Sequence, residues 1–171
     1  VTRGLSGHVD TLGVMVRSIN ADGTLALTKI GGPITPTLDS EYCEIITRDG
    51  KTYTGTILST SPSIHVHKDA STKSRDIDNL VVKIDERVSN KKEVQALGIQ
   101  NGDFVAYDPK VQITDSGFVK SRFLDDKASV ALLVSVLKAI HAGDVKPKTN
   151  LKFIISTYEE VGHGAAWIPE E

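Results

Sequence analysis

SRFLDDK (residues 121–127) leads into the largely apolar run ASVALLVSVLKAI (128–140), and together they decide the fold. The run contains no Pro or Gly, Asp125 or Asp126 can cap its N-terminus, and Gly143 supplies a stop signal, so it predicts an α-helix. Apolar residues fall on nearly every face of this helix. Such a pattern is typical of a helix that is buried on more than one side.

LKFIIS (residues 151–156) predicts a strand that follows this helix. It is short, almost continuously apolar and rich in Ile and Phe, which suits a central strand of a parallel sheet covered on both faces. Glu159 and Glu160 come directly after it. In open α/β sheets, ligands bind at the carboxyl ends of the strands.

Two acidic pairs, Asp125-Asp126 and Glu159-Glu160, therefore flank one helix and one strand. Adjacent carboxylates in a dry crevice repel each other, so that one takes up a proton or both meet a cation. Four carboxylates converging on one crevice indicate a metal site. The alternative is that the first pair only caps the helix and the second lies in a solvated loop.

LSGHVD (residues 5–10) adds a candidate imidazole ligand. A nearby carboxylate commonly fixes the orientation of a metal-bound histidine, and Asp10 could do this for His8. An ordinary polar pair is the alternative.

In this order, GHVDTLG (7–13), RFLDDK (122–127) and YEEVG (158–162) closely resemble the motifs of one enzyme family. It is the dinuclear-metal aminopeptidase family that includes glutamyl, deblocking and tetrahedral dodecameric aminopeptidases. Members are often catalogued as cellulase-like or endoglucanase-like, a label that these residues do not support. The resemblance runs along the whole chain and implies an enzyme that removes N-terminal residues from peptides.

The resemblance also implies a role for each motif residue. His8 would ligate one of two divalent metal ions, zinc or cobalt, Asp125 would bridge both ions, and Glu160 would ligate the other. Asp10 matches the residue that orients the histidine. Glu159 matches the general base, which would take a proton from a water activated by the two metals. The Asp125-Asp126 peptide bond is commonly cis in relatives.

Two further metal ligands of the family, a downstream Asp and a His near the C-terminus, do not occur before Glu171. The segment that normally precedes the His8 strand is also missing. We therefore expect the chain to be part of a longer enzyme. The turn at residues 162–165 departs from many relatives by carrying His163, which could contact substrate, although a structural role in the turn is favoured.

Composition narrows the possible functions. The 171 residues are 39% hydrophobic and 25% charged, enough to bury a core, and the net charge of −2 gives no electrostatic reason to expect nucleic acid or an anionic membrane as a partner. We find no apolar run of about 18 residues and no signal-peptide pattern. The single cysteine, Cys43, excludes an internal disulfide and suits the cytoplasm, and we interpret it as a packed residue.

Between the His8 motif and the helix, the sequence is rich in β-structure. Asp22-Gly23 and Asp49-Gly50 each predict a hairpin between short strands, and residues 80–85 and 102–107 predict further strands, with a short helix at 90–97. The polar segment 59–76 contains His65 and His67. In a strand the two rings would share a face and could hold a metal, but surface or interface packing is favoured.

These predictions combine into an α/β catalytic domain formed by residues 1–14 and 112–171 and split by a β-rich inserted domain at 15–111. The resemblance implies a phosphorylase/hydrolase-like mixed sheet with helices on both faces, and a barrel-like insert through which the enzyme forms homo-oligomers.

Two alternatives come from other classes of function. One is a metal-free oligomerisation or peptide-binding module. The other, a glycoside hydrolase, is disfavoured because the adjacent carboxylates Glu159 and Glu160 would not flank a glycosidic bond at the required separation of about 5–9 Å.

Overall fold

The computed structural model describes residues 1–166, which divide into two compact units. One unit is Gly13–Asp108, and the other combines Val1–Leu12 with the chain from Pro109 onward. The end of the predicted catalytic domain, residues 167–171, lies outside the described residues. The strands and α-helices, numbered in chain order, are β1 (Thr2–His8), β2 (Gly13–Ile19), β3 (Leu25–Ile30), β4 (Tyr42–Ile46), β5 (Thr52–Ser59), β6 (Leu80–Ile84), α1 (Lys91–Ala96), β7 (Phe104–Tyr107), β8 (Gln112–Ile113), β9 (Val119–Lys120), α2 (Leu124–Ala142) and β10 (Asn150–Ser156).

The unit Gly13–Asp108 is a closed six-stranded barrel with the strand order β2-β3-β6-β5-β4-β7. Every neighbouring pair of strands is antiparallel. Inward-pointing Val, Leu and Ile side chains fill the barrel core: Val14, Val16, Leu25, Leu27, Ile45, Ile57, Val82 and Val105. The alternation of buried and exposed residues along β4 and β7 is the expected pattern for strands with one face on a core.

Both predicted hairpins are confirmed. β2 and β3 pair across a turn in which the carboxylate of Asp22 accepts hydrogen bonds from the backbone N–H (3.0 Å) and the hydroxyl (2.7 Å) of Thr24. In the hairpin between β4 and β5, Gly50 has a φ of 83°, a left-handed conformation that glycine adopts without steric cost. The predicted strands β6 and β7 and the short helix α1 are also present.

The segment around His65 and His67 does not form a strand. Residues 60–76 form turns, bends and irregular structure, so the two histidines do not share a strand face. Local hydrogen bonds hold this conformation, because the carbonyl of Ser63 accepts from the N–H groups of both Val66 (3.1 Å) and His67 (2.8 Å).

Cys43 lies in the barrel wall and is buried. Burial, with smaller contributions from the charges of Asp85 and Glu44, raises the pKa of its thiol to about 12. A thiol that stays protonated at neutral pH is a poor nucleophile, in agreement with a packing role.

In the other unit, β1 and β10 pair in parallel, with His8 opposite Ser156. Helix α2 packs on β1 at Gly7, where a Cβ atom would lie 3.1 Å from Val130 Cγ2. The chain also forms the short hairpin β8–β9, which the sequence did not predict. The predicted helix and the parallel pairing of the predicted strand are therefore confirmed.

The expected burial of α2 and β10 on two sides is wrong for the described residues. Neither element contains a fully buried residue, and Leu132 in α2 remains 67% exposed. The half-buried positions of the helix, such as Val130 and Leu133, lie on the face toward β1, while its other apolar residues stay open. Among residues 1–166, no helix combines the length and the apolar character needed to cross a membrane.

The barrel core predicts a strong response to one added methyl group. Gly55 is buried in β5, and a Cβ there would lie 2.8 Å from the Lys83 carbonyl oxygen and 2.9 Å from Val82 Cγ1. We expect Gly55→Ala to reduce the free energy of unfolding by about 1–3 kcal/mol, measured by urea denaturation. Gly32→Ala is the matched control, because a Cβ at Gly32 meets nothing within 4 Å. Equal stability of the two variants would contradict the packing described here.

The Asp22 turn predicts a pH-dependent contribution to stability. Hydrogen bonds from the backbone and side chain of Thr24 lower the pKa of Asp22. A lowered folded-state pKa means that the stabilisation is present above the unfolded-state pKa of about 4 and is lost as the pH falls through the folded-state value. At neutral pH we expect the urea midpoint of Asp22→Ala to be lower than that of the unaltered protein. In acid this difference between the two midpoints should disappear. For Glu44→Ala, at an exposed position of β4, the difference in urea midpoint from the unaltered protein should not disappear in acid in this way. If the difference in urea midpoint between Asp22→Ala and the unaltered protein stayed constant down to acid pH, the Asp22 turn would make no pH-dependent contribution to stability.

Candidate active site

The site lies where the two parallel strands end. His8 is the last residue of β1 and is only 6% exposed. β10 ends at the paired residue Ser156, and Glu159 begins a 3₁₀ turn three positions later. Because the strands are parallel, both of their carboxyl ends meet at one edge of the sheet, as predicted.

The N-terminus of α2 brings the acidic pair to the same place. The peptide bond between Asp125 and Asp126 is cis, as the resemblance implies, and neither residue has helical backbone angles. Phe123 occupies the N-cap position of α2 and no side chain caps it there, so the predicted cap by Asp125 or Asp126 is not observed at the assigned start of the helix. The Asp126 carboxylate is instead held by hydrogen bonds from Ser129 and from the His8 N–H, which lower its pKa. The Asp125 carboxylate does not cap the helix and is 86% exposed.

The His8 ring stands between carboxylates. Its Nδ1 donates to the main-chain carbonyl of Asp10 (3.2 Å), and its Nε2 lies 3.1 Å from Asp125 Oδ1 and 3.4 Å from Glu159 Oε2. Burial by itself lowers the pKa of His8, but the hydrogen bonds to Asp125 and Asp10 and the charges of Glu159 and Asp10 raise it above its usual value. The imidazole is therefore held in place by its Nδ1 side, while Nε2 faces the acidic groups.

Asp10 has a second contact that the sequence did not reveal. One oxygen, Oδ1, lies 3.4 Å from His8 Nδ1, and the other, Oδ2, accepts a hydrogen bond from the backbone N–H of Glu160 (3.0 Å). Burial raises the pKa of Asp10, but hydrogen bonds from the backbone N–H groups of Glu160 and Glu159 outweigh this effect and lower it. The Asp10 carboxylate therefore links the end of β1 to the turn that carries both glutamates.

Glu160 is the glutamate whose environment disfavours ionisation. Burial, followed by the negative charge of Asp125, raises the pKa of its carboxyl, while His8 partly offsets this effect. The expectation that crowded carboxylates favour the uptake of a proton or a cation agrees with this direction.

The structure thus places Asp10, Asp125 and Glu159 each within contact distance of the His8 ring, and Glu160 is joined to Asp10 through its backbone N–H. His163 has an exposed side chain, and its N–H donates to the Tyr158 carbonyl (2.9 Å), which fits a role in the turn.

The donor groups at this edge suit a divalent metal ion. Imidazole nitrogen and carboxylate oxygen are ligands of zinc and of related ions, and the hydrogen bond from His8 Nδ1 to Asp10 matches the support found behind metal-bound histidines. Within residues 1–166, no three His, Cys, Asp or Glu residues are grouped closely enough to hold an ion as they stand. The buried Asp10 Oδ1 makes no hydrogen bond and lies 3.4 Å from His8 Nδ1.

Comparison with known proteins identifies the family. The model of the M42 glutamyl aminopeptidase family matches residues 1–171. The chain belongs to this family. The match confirms the resemblance seen in the His8, Asp125 and Glu159-Glu160 motifs.

Several relatives of this M42 chain are similar along most of its length. It is 49% identical over 162 residues to the putative aminopeptidase YhfE of Bacillus subtilis, covering 95% of this chain and 47% of that protein. An aminopeptidase structure from the archaeon Desulfurococcus kamchatkensis superimposes with a TM-score of 0.78 at 25% identity, covering 94% of this chain and 41% of that one. The TET1 peptidase of Pyrococcus horikoshii, whose structure is described as assembling into a tetrahedron or a large octahedral shell, gives a TM-score of 0.76 at 25% identity, with 93% and 46% covered.

The chain spans about half the length of these relatives. The chain shares its fold with these structures. It combines a barrel-like sheet with an α/β unit, and this is the coarse architecture that the sequence predicted.

Proposed function

We propose that this chain is part of a metal-dependent aminopeptidase that hydrolyses N-terminal residues from peptides. The observation that supports it best is the geometry at His8, whose Nε2 faces both Asp125 and Glu159 at the carboxyl ends of parallel strands. The M42 family is generally metal-dependent, and its match along the whole chain supports the same reaction.

In this proposal His8, Asp125 and Glu160 would hold two divalent ions, zinc or cobalt. When bound, such ions lower the pKa of a water molecule and polarise the scissile carbonyl. The chain's own contribution is to orient the ligands: Asp10 accepts from the Glu160 N–H, and its main-chain carbonyl fixes His8. Asp126 holds the helix N-terminus next to His8.

Glu159 is the proposed general base. Its carboxylate is about half exposed, so a water molecule and a substrate can reach it, and its Oε2 lies close to the His8 ring. It would accept the proton of the attacking water and pass it to the leaving amine. The surrounding carboxylates would attract the positively charged α-amine of a substrate, which favours cleavage at the N-terminus.

We further propose that the open apolar faces of α2 and β10 are covered in the longer protein. The relatives are about twice as long as this chain, and Leu132, Val136 and Ile155 are exposed in a pattern typical of surfaces that pack against another layer. The same additional part would supply the remaining metal ligands. The complete unit would then be the catalytic domain, and the barrel unit the inserted domain.

The general-base assignment predicts the effect of one isosteric substitution. In the full-length enzyme, Glu159→Gln should lower kcat for aminoacyl p-nitroanilides about 10²–10⁴-fold, because glutamine keeps the shape of the side chain but cannot take up a proton. Chelation should abolish the activity of the unaltered enzyme, and zinc or cobalt should restore it. Glu44→Gln, on the outside of the barrel, serves as the control. If Glu159→Gln hydrolysed substrate as fast as this control, the assigned base would be wrong.

The barrel supports a second role in self-association. On its outer surface, Ile46 pairs with Phe104, and Tyr42 lies on the same face of β4; Tyr42 is 72% exposed and Phe104 is 54% exposed. Such a stripe is suited to packing against a second copy of the chain. The assembly described for the similar TET1 peptidase supports a homo-oligomer, and we propose that it forms through this unit. We propose that the enzyme acts in the cytoplasm on peptides and binds neither nucleic acid nor membranes.

The stripe can be tested by reversing its polarity. Phe104→Glu should shift the full-length protein to a smaller species in sedimentation velocity, because a buried, unpaired charge opposes association. Val66→Glu, at an equally open apolar position in the turn-rich segment between β5 and β6, should leave the sedimentation coefficient unchanged. An unchanged mass for Phe104→Glu would show that copies do not meet through this surface.

A further inference from the structure

Gly164 packs directly against the proposed general base. It lies in a short 3₁₀ turn that follows the Glu159–Val161 turn. A Cβ atom at position 164 would lie 2.9 Å from Cγ, 3.0 Å from Cβ and 3.2 Å from Cα of Glu159. Real Cβ contacts essentially never fall under 3.0 Å, so the two turns approach each other as closely as a glycine allows.

The atoms involved make this contact rigid. Rotation about χ1 would carry Cγ of Glu159 away from an added methyl group, but Cβ and Cα move only with the backbone. An alanine at position 164 would therefore require a shift of a few tenths of an ångström between the backbones of the two turns, and we expect Glu159 to take up part of it. The φ angle of Gly164 is outside the left-handed region, so the collision is separate from any backbone preference for glycine.

The backbone that carries Glu159 is already fixed at one neighbouring point. The Glu160 N–H donates to Asp10 Oδ2 (3.0 Å), which joins the turn to β1. Contact with Gly164 adds a second constraint, on the side chain and Cα of Glu159 itself. Together they define where the carboxylate stands relative to the His8 ring, 3.4 Å from its Nε2.

We propose that Gly164 is a positioning residue for Glu159: its missing side chain lets the turn after the Glu-Glu pair close onto the base and hold its carboxylate at the His8 edge. This inference rests on the proposed aminopeptidase function for its kinetic consequence. The contact itself does not depend on that function.

A misplacement of a catalytic group by about 1 Å can reduce the rate about 10²-fold. In the full-length, metal-loaded enzyme, Gly164→Ala should therefore lower kcat about 10–100-fold while KM stays within about threefold, because the added methyl group moves the base and not the metal ligands. The zinc affinity, measured by competition with a chelating dye, should remain that of the unaltered enzyme. Gly4→Ala is the matched control, since a Cβ there makes only an ordinary 3.6 Å contact with Ile154 Cδ1.

A double-mutant cycle separates positioning from general damage to the fold. If Gly164 acts through the Glu159 carboxylate, Gly164→Ala should have almost no further effect on kcat in a Glu159→Gln background. An equal fold-loss in both backgrounds would overturn the proposal, because the methyl group would then act elsewhere.

Crystal structures test the contact without any activity measurement. In full-length Gly164→Ala, the Cα of Glu159 should be displaced by several tenths of an ångström, while the hydrogen bond between Glu160 and Asp10 should keep its length. An unmoved Glu159 would overturn the proposal. If Gly164→Ala does not fold, the structure of the unaltered enzyme decides: a gap between Gly164 and Glu159 large enough for a methyl group would refute it.

Failure of the proposed function gives a different result. In that case the unaltered, metal-loaded enzyme would not release N-terminal residues from peptides, while the displacement of Glu159 in crystals of Gly164→Ala would still be observed.

Discussion

The parallel pairing of β1 with β10 is the constraint on which the candidate site depends. His8 and Ser156 are opposite each other in this register, so that two chain segments nearly the whole sequence apart end at one edge. A shift of the register by one residue would turn His8 to the other face of the sheet and separate it from Asp125. Backbone hydrogen bonds therefore set the position of the imidazole before any side-chain contact is made.

The carboxylates around His8 are held by different means, and this gives them different properties. Asp126 is fixed by hydrogen bonds from Ser129 and from the His8 backbone, and Asp10 is fixed by the backbone of the Glu159-Glu160 turn. These donors stabilise the ionised forms. Asp125 and Glu159 instead extend into solvent beside the ring. The acids with fixed partners thus shape the site, and the open ones are available for ligands and protons.

The sequence predicted those features that arise from local patterns. Helix α2, strand β10 and the hairpins at Asp22-Gly23 and Asp49-Gly50 follow from apolar periodicity and turn chemistry. The motif residues His8, Asp125 and Glu159 could be found because they follow or precede such elements.

Other features depend on contacts between segments far apart in the chain, which no local pattern encodes. An example is the hydrogen bond from Glu160 to Asp10. The approach of Gly164 to Glu159 is local in sequence, but it depends on how two successive 3₁₀ turns pack against each other. The burial expected for α2 was wrong because hydrophobicity indicates that a face needs a partner, not whether the partner belongs to residues 1–166. The sequence left open whether His65 and His67 lie in a strand, and backbone hydrogen bonds to the Ser63 carbonyl hold this segment in a turn instead.

The closure of the barrel by β2 and β7 has a consequence for the folding of the chain. These strands are the first and the last of the barrel, and they pair directly, with Val14 opposite Val105. A folded barrel therefore returns the chain close to the point at which it left, and the loop that must be closed before β1 can meet β10 is effectively shortened. The barrel takes up Gly13–Asp108, so the flexible loop between His8 and Asn150 becomes about threefold shorter, which lowers the entropic cost of its closure by about 1 kcal/mol. If the barrel folds first, an insertion of nearly a hundred residues can interrupt the parallel sheet at little entropic cost. This would explain how such a large insertion is accommodated between two strands that must pair.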